Sequence, residues 1–69
     1  MKPLSGRAFA RLIEARGWRL LRVNGSHHIY GKPGEVARLS IPVNGNAPLK
    51  AGLQRHLAKL AGLTDADLG

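Results

Sequence analysis

Between Ser5 and Arg16 the apolar residues Ala8, Phe9, Leu12 and Ile13 recur with the i, i+1, i+4, i+5 rhythm of one helix face, and Arg7, Arg11 and Glu14 fall mainly on the other side. Ser5 is a good N-cap and Gly17 a good stop, so the pattern predicts a helix ending near Arg16. The rhythm then shortens. Trp18 to Val23 is rich in strand formers, with Leu20 and Leu21 breaking strict alternation and leaving room for a bulge. Asn24-Gly25 is a hairpin turn signal, Ser26 to Tyr30 a second strand, and Gly31-Lys32-Pro33-Gly34 the next turn. Val36 to Ile41 alternates, with Ala37, Leu39 and Ile41 on one face and Arg38 and Ser40 on the other, until Pro42 ends it. After a loop around Asn44-Gly45-Asn46, the stripe Leu49, Leu53, Leu57, Leu60 predicts a second helix closed by Gly62. Lys50, Arg55 and Lys59 lie off that stripe, and His56 sits at its edge. Thr64-Asp65-Ala66-Asp67 suits one short, capped last turn.

The order is therefore α-β-β-β-α, an α+β class in which two helices pack on one face of a three-stranded antiparallel sheet, leaving the other face open. With 69 residues the chain is expected to form one domain, residues 1–69, and a domain this small buries only about 60% of its unfolded surface. No cysteine is present, so there is no disulfide and no zinc–thiolate site. No apolar run reaches the roughly 20 residues that span a bilayer, and Met1 to Arg7 hold no apolar run of signal-peptide length. The expectation is a soluble, cytoplasmic protein.

Charge narrows the function. Eleven Lys+Arg against four Asp+Glu give a net charge of +7, a field that draws polyanions, nucleic acid above all. Arginine predominates among the cations, which suits bidentate phosphate contacts.

Candidate chemistry is sparse. Histidine titrates near neutrality and can exchange a proton during RNA hydrolysis, in which the 2′-OH attacks the adjacent phosphorus and the 5′-oxygen leaves. His27 and His28 follow the Gly25-Ser26 turn at the start of a strand. Neighbouring strand residues face opposite ways. If Ile29 is a core residue, His27 shares its side, and His28 lies with Tyr30 on the open face, where it is the more exposed of the pair. Tyr30 there is placed to stack on a base, whereas Trp18 reads as a core anchor. His56 reads as a helix-surface residue. The acids Glu14, Glu35, Asp65 and Asp67 show no Ser-His-acid spacing, and no glycine-rich phosphate loop or metal-ligand set occurs.

Over nearly its whole length the chain resembles the HicA toxin family, the small partners of HicB antitoxins. The resemblance is carried, in order, by Ala15-Arg16-Gly17-Trp18, Gly25-Ser26-His27-His28-Ile29-Tyr30, Lys32-Pro33, Ile41-Pro42, Leu49-Lys50-Ala51-Gly52-Leu53 and Ala61-Gly62-Leu63. It implies a fold similar to a double-stranded-RNA-binding domain, an mRNA-cleaving activity without a cofactor, and a HicB antitoxin that covers the active surface. The family's Gly-Ser-His motif maps onto His27, or one position later onto His28; His27 is the first choice and His28 the second. There are departures. No histidine follows Pro42 in Pro42-Val43-Asn44-Gly45, and Gly52-Leu53 stands where the family commonly has Gly-Thr.

The expectation is thus a metal-independent endoribonuclease toxin with His27 or His28 as general acid or base. Ser26, Tyr30, Lys32, Arg38, Lys50 and Arg55 are the expected RNA contacts. The alternatives are a non-catalytic RNA-binding module on the same fold and a basic domain that docks on an acidic protein.

Overall fold

The computed structural model describes residues 2–68. Helix α1 (Gly6–Ala15) starts where Ser5 takes one of the N–H groups that a helix start leaves over: the Ala8 N–H donates to its hydroxyl oxygen at 3.1 Å. Its far end closes when the Trp18 N–H turns back onto the Ile13 carbonyl at 3.0 Å. Phe9 and Ile13 are fully buried, with Gly6 and Ala10 beside them.

Strands β1 (Arg19–Asn24), β2 (His27–Gly31) and β3 (Leu39–Pro42) form one open antiparallel sheet in that order. Asn24 pairs with His27, so the two loop residues are Gly25 and Ser26, and the turn is centred one residue later than Asn24-Gly25 suggests. Gly25 has φ 62° and Ser26 is not among the positive-φ residues, which fits a type II′ turn with glycine in its first central position. The anticipated bulge is present. Leu20 lies opposite Tyr30 and Arg22 opposite Ile29, so Leu21 is the extra residue.

Directly paired residues share a face of the sheet. His28 is opposite Ile41, and Tyr30 is opposite Leu39. Leu39 and Ile41 are wholly buried beneath the helices. Tyr30 and His28 therefore turn toward the helices, and His27 and Ile29 toward the open side. This corrects the parity expected from Ile29 as the core residue of β2. The register against β3 decides which interleaved set turns inward, and the strand's own residues do not carry that information. Tyr30, only 2% exposed, brings the larger ring inward, and its hydroxyl finds a polar partner there.

Strand β3 begins at Leu39, three residues later than the alternation predicts, and Val36 is 96% exposed. The Arg38 guanidinium explains the loss: its Nη1 donates to the carbonyls of Glu35, Val36 and Ala37 at 3.2–3.4 Å, holding that stretch as a loop.

Helix α2 (Ala51–Ala61) starts two residues after Leu49, with Lys50 as its extended N-cap; the Leu49 N–H donates to the Leu4 carbonyl at 2.8 Å. The leucine stripe is only part of its buried face. Leu57, Ala58 and Gln54 are buried while Leu60 is 39% exposed. Gln54 is a buried amide, and both ends of it are used: Nε2 donates to the Lys2 carbonyl (2.7 Å) and Oε1 accepts from the Leu4 N–H (2.8 Å). The short helix α3 (Asp65–Leu68) is capped reciprocally by Thr64 and Asp67. The Thr64 backbone N–H, and after it Arg16 in an ion pair, hold the Asp67 carboxyl below its ordinary value.

The core is the space between α1, α2 and the inner face of β2 and β3, filled by Phe9, Ile13, Trp18, Tyr30, Leu39, Ile41 and Leu57. Every residue of β1 is exposed, because the helices stop short of that edge. No helix among the described residues is long and apolar enough to cross a membrane.

Candidate functional site

The uncovered strip between α1 and β1 is a groove of about 510 Å³, within the ordinary range of small-ligand sites. Arg7, Arg11 and Glu14 come down one flank of α1, Leu20 rises from β1, and His28 and Tyr30 form the floor. The loop after β3 closes one end with Val43 and Gly45. Residues 7, 11 and 14 fall on one side of the helix because three- and four-residue steps stack side chains on one face. The II′ turn delivers His28 to the same place, and Gly6 lets the start of α1 sit directly on the end of β3.

The Tyr30 hydroxyl donates to Glu14 Oε2 at 2.6 Å. Burial first, and then the Glu14 carboxylate as acceptor and neighbouring charge, push the Tyr30 hydroxyl up from 10.0 to about 12. Tyr30 therefore stays neutral at physiological pH and acts as a fixed donor. It orients one carboxylate oxygen, Oε2, and among the described residues the other, Oε1, accepts no hydrogen bond. Arg7 and Arg11 have no carboxylate partner, since Arg16–Asp67 is the one ion pair among the described residues. The groove thus combines two unpaired guanidiniums, one oriented carboxylate and one half-buried imidazole. These groups can bind a phosphodiester and move a proton at each end of it.

The residues expected from sequence are distributed over three places. His28 and Tyr30 come together in the groove, but Tyr30 is a core ring with a bonded hydroxyl, which corrects its placement on the open face as a base-stacking platform. His27 is exposed on the opposite side of the sheet, so His28 is the less exposed of the pair, the reverse of the parity expectation. Ser26 sits exposed at the turn, where its carbonyl accepts from the Val43 N–H at 2.7 Å. Lys32 and Arg38 meet Arg19 around Gly31 at the far end of the sheet, and Lys50 and Arg55 stand exposed on or beside α2. Trp18 is in the core.

Sequence reasoning missed Arg7, Arg11 and Glu14. Their i, i+4, i+7 spacing was visible as a polar stripe, but a polar stripe is ordinarily the solvated side of a helix. Only the bare edge of β1 makes it a groove wall. Among the described residues no three His, Cys, Asp or Glu side chains gather as a metal cage.

No curated protein matches the chain. A family model does, the HicA toxin of bacterial toxin-antitoxin, over residues 6–63. That span runs from the first residue of α1 to Leu63, two residues after the end of α2, and so takes in the whole groove. With most of its length matched, the chain belongs to the HicA toxin family and is the toxin of a bacterial toxin–antitoxin pair, with an antitoxin as its partner.

Proposed function

We propose that this toxin is a metal-independent endoribonuclease that cleaves mRNA in the groove between α1 and β1, with His28 as its acid–base histidine. The observation that carries the reading is the shared lining of that groove: His28, Glu14, Arg7 and Arg11 face one space. Transesterification of RNA needs these parts. Glu14 accepts the proton of the 2′-OH, and the 2′-oxygen attacks the neighbouring phosphorus. The bond from phosphorus to the 5′-oxygen breaks, and protonated His28 supplies the proton that the leaving oxygen takes. A 2′,3′-cyclic phosphate and a 5′-hydroxyl result. Arg7 and Arg11 hold the non-bridging oxygens as their negative charge grows. A HicB-type antitoxin would silence the enzyme by filling the same groove; the net charge of +7 favours an acidic partner.

Purified protein incubated with mRNA in EDTA tests this. Wild type should cut, His28→Ala should cut about 100-fold or more slowly, and His27→Ala should stay close to wild type. Loss of cleavage on His27→Ala alone would move the role to the family's first-choice position. Intact RNA that is nonetheless bound by wild type would replace the enzyme by a binding module.

A further inference from the structure

The opposite face of the sheet holds a second basic hollow, of about 250 Å³, lined by Arg19, Leu21, Gly31, Lys32, Pro33 and Arg38. It cannot belong to the groove. Arg19 pairs with Gly31 and Leu20 pairs with Tyr30, and successive pairs project to opposite faces. Three separate segments supply its cations: the start of β1, the turn after β2, and the loop before β3.

The hollow is organised rather than incidental. Gly31 is buried, and a Cβ there would lie 2.8 Å from Leu21 Cδ1 and 3.3 Å from Arg38 Nε. The missing side chain is the space in which Leu21 and Arg38 cross the strand. The bulge turns Leu21 into that space. Arg38 is oriented on one side by the three carbonyls its Nη1 holds, leaving the rest of its donor fork outward. Among the described residues none of Arg19, Lys32 and Arg38 pairs with a carboxylate. Three unneutralised cations around one hollow define a site for phosphate oxygens.

We infer that this hollow is a second RNA-phosphate site, and that together with the groove it selects a flexible single strand over a duplex; the inference rests on the proposed reading of the groove as the cleavage site. Strand β1 lies between the two sites and is a bare edge, with Leu20 (47% exposed) and Val23 (54%) on the groove side and Leu21 (54%) on the other. RNA that occupies both sites must bend around that edge over an apolar ridge. A double helix is stiff over roughly 150 base pairs, taking the DNA value, and cannot do so. A single strand can.

The probe is a fluorescent 20-nucleotide RNA, 2′-O-methylated so that it cannot be cut, bound to the whole protein at a series of salt concentrations. Arg19→Gln/Lys32→Gln removes two exposed or half-exposed cations and leaves Arg38, which holds its loop, in place. The log–log salt slope should lose about 1.4, at about 0.7 per single-strand phosphate contact. The control Lys2→Gln/Lys59→Gln, which removes two cations elsewhere, should change the slope less. The single strand should also bind more tightly than a duplex of the same sequence, although the duplex carries more charge. An unchanged slope in Arg19→Gln/Lys32→Gln, or a duplex that binds as tightly as the single strand, overturns the inference. A cleavable dinucleotide separates the two readings. Arg19→Gln/Lys32→Gln should cut it at the wild-type rate while KM for a cleavable 20-mer rises. If wild type cuts neither substrate, the cleavage reading fails, and the binding measurements still decide the second site.

Discussion

The first residue of α1 offers a sharp test of how the groove is held open. An alanine Cβ at Gly6 would collide with the carbonyl oxygen of Pro42 and lie 3.0 Å from its carbonyl carbon and 3.2 Å from Val43 Cα. All three obstacles are backbone, in the last residue of β3 and the one after it, so no rotamer change relieves them. Overpacking of this kind costs about 1–3 kcal/mol, and backbone obstacles place Gly6→Ala at the upper end. A chain of this size has on the order of 3–10 kcal/mol of stability in total. A loss of about 3 kcal/mol would lower the melting temperature by roughly 12–24 °C. Gly52 is the internal control. It also lies in a helix, near the start of α2, but a Cβ there meets nothing within 4 Å. Gly52→Ala should therefore gain about 0.5–1 kcal/mol from helix propensity. Urea melts followed by the fluorescence of Trp18, the single tryptophan, measure both variants. If Gly6→Ala matches wild type, or if the two substitutions shift stability in the same direction, the claimed seating of α1 on β3 is wrong.

Two further outcomes follow from buried polar contacts. Tyr30→Phe removes the donor to Glu14 and should cost about 1–2 kcal/mol near neutral pH. Because the folded-state value is raised from 10.0 to about 12, the Tyr30 contribution is complete below pH 10 and is lost as pH rises through 12. The stability gap between wild type and Tyr30→Phe should shrink across that window, and denaturant melts at stepped alkaline pH showing a constant gap would refute the assignment. Gln54→Leu leaves the Leu4 N–H and the Lys2 carbonyl without their partners. It should cost about 1–3 kcal/mol and speed hydrogen exchange at the Leu4 amide, which can be read by NMR.

What could be foreseen from the residues was local. Ser5 as a cap, Gly62 as a stop and the Leu20-Leu21 bulge each follow from the chemistry of a few neighbours, and each is present. The errors that decide the site involve long-range choices. Ile29 and Tyr30 are both plausible inward residues, and only the pairing of Tyr30 with Leu39 selects between them. That one choice decides which of two adjacent histidines enters the groove. The end of the third strand nearest Val36 is lost to Arg38, whose side chain competes for carbonyls that a ladder would otherwise use. Arg7, Arg11 and Glu14 were legible as a stripe, but not as a wall. Their importance depends on how far α1 reaches across the sheet, and no local pattern records that distance.

The extra residue in β1 also bears on how this chain can vary in length. Loops such as the one around Asn44 to Asn46 absorb insertions because nothing downstream depends on their count. Strand β1 has such freedom at one place. Deleting Leu21 would join Leu20, which lies opposite Tyr30, directly to Arg22, which lies opposite Ile29, so the other pairs of the hairpin would keep their register and their faces. Val23 would stay on the groove side and Gly25 at the turn, while the space beside Gly31 would lose the leucine that fills it. A one-residue deletion here would act on the basic hollow and leave the hairpin and the groove in register. Related chains that keep this architecture should therefore differ freely in loop length, and in the length of this strand by the one residue of the bulge.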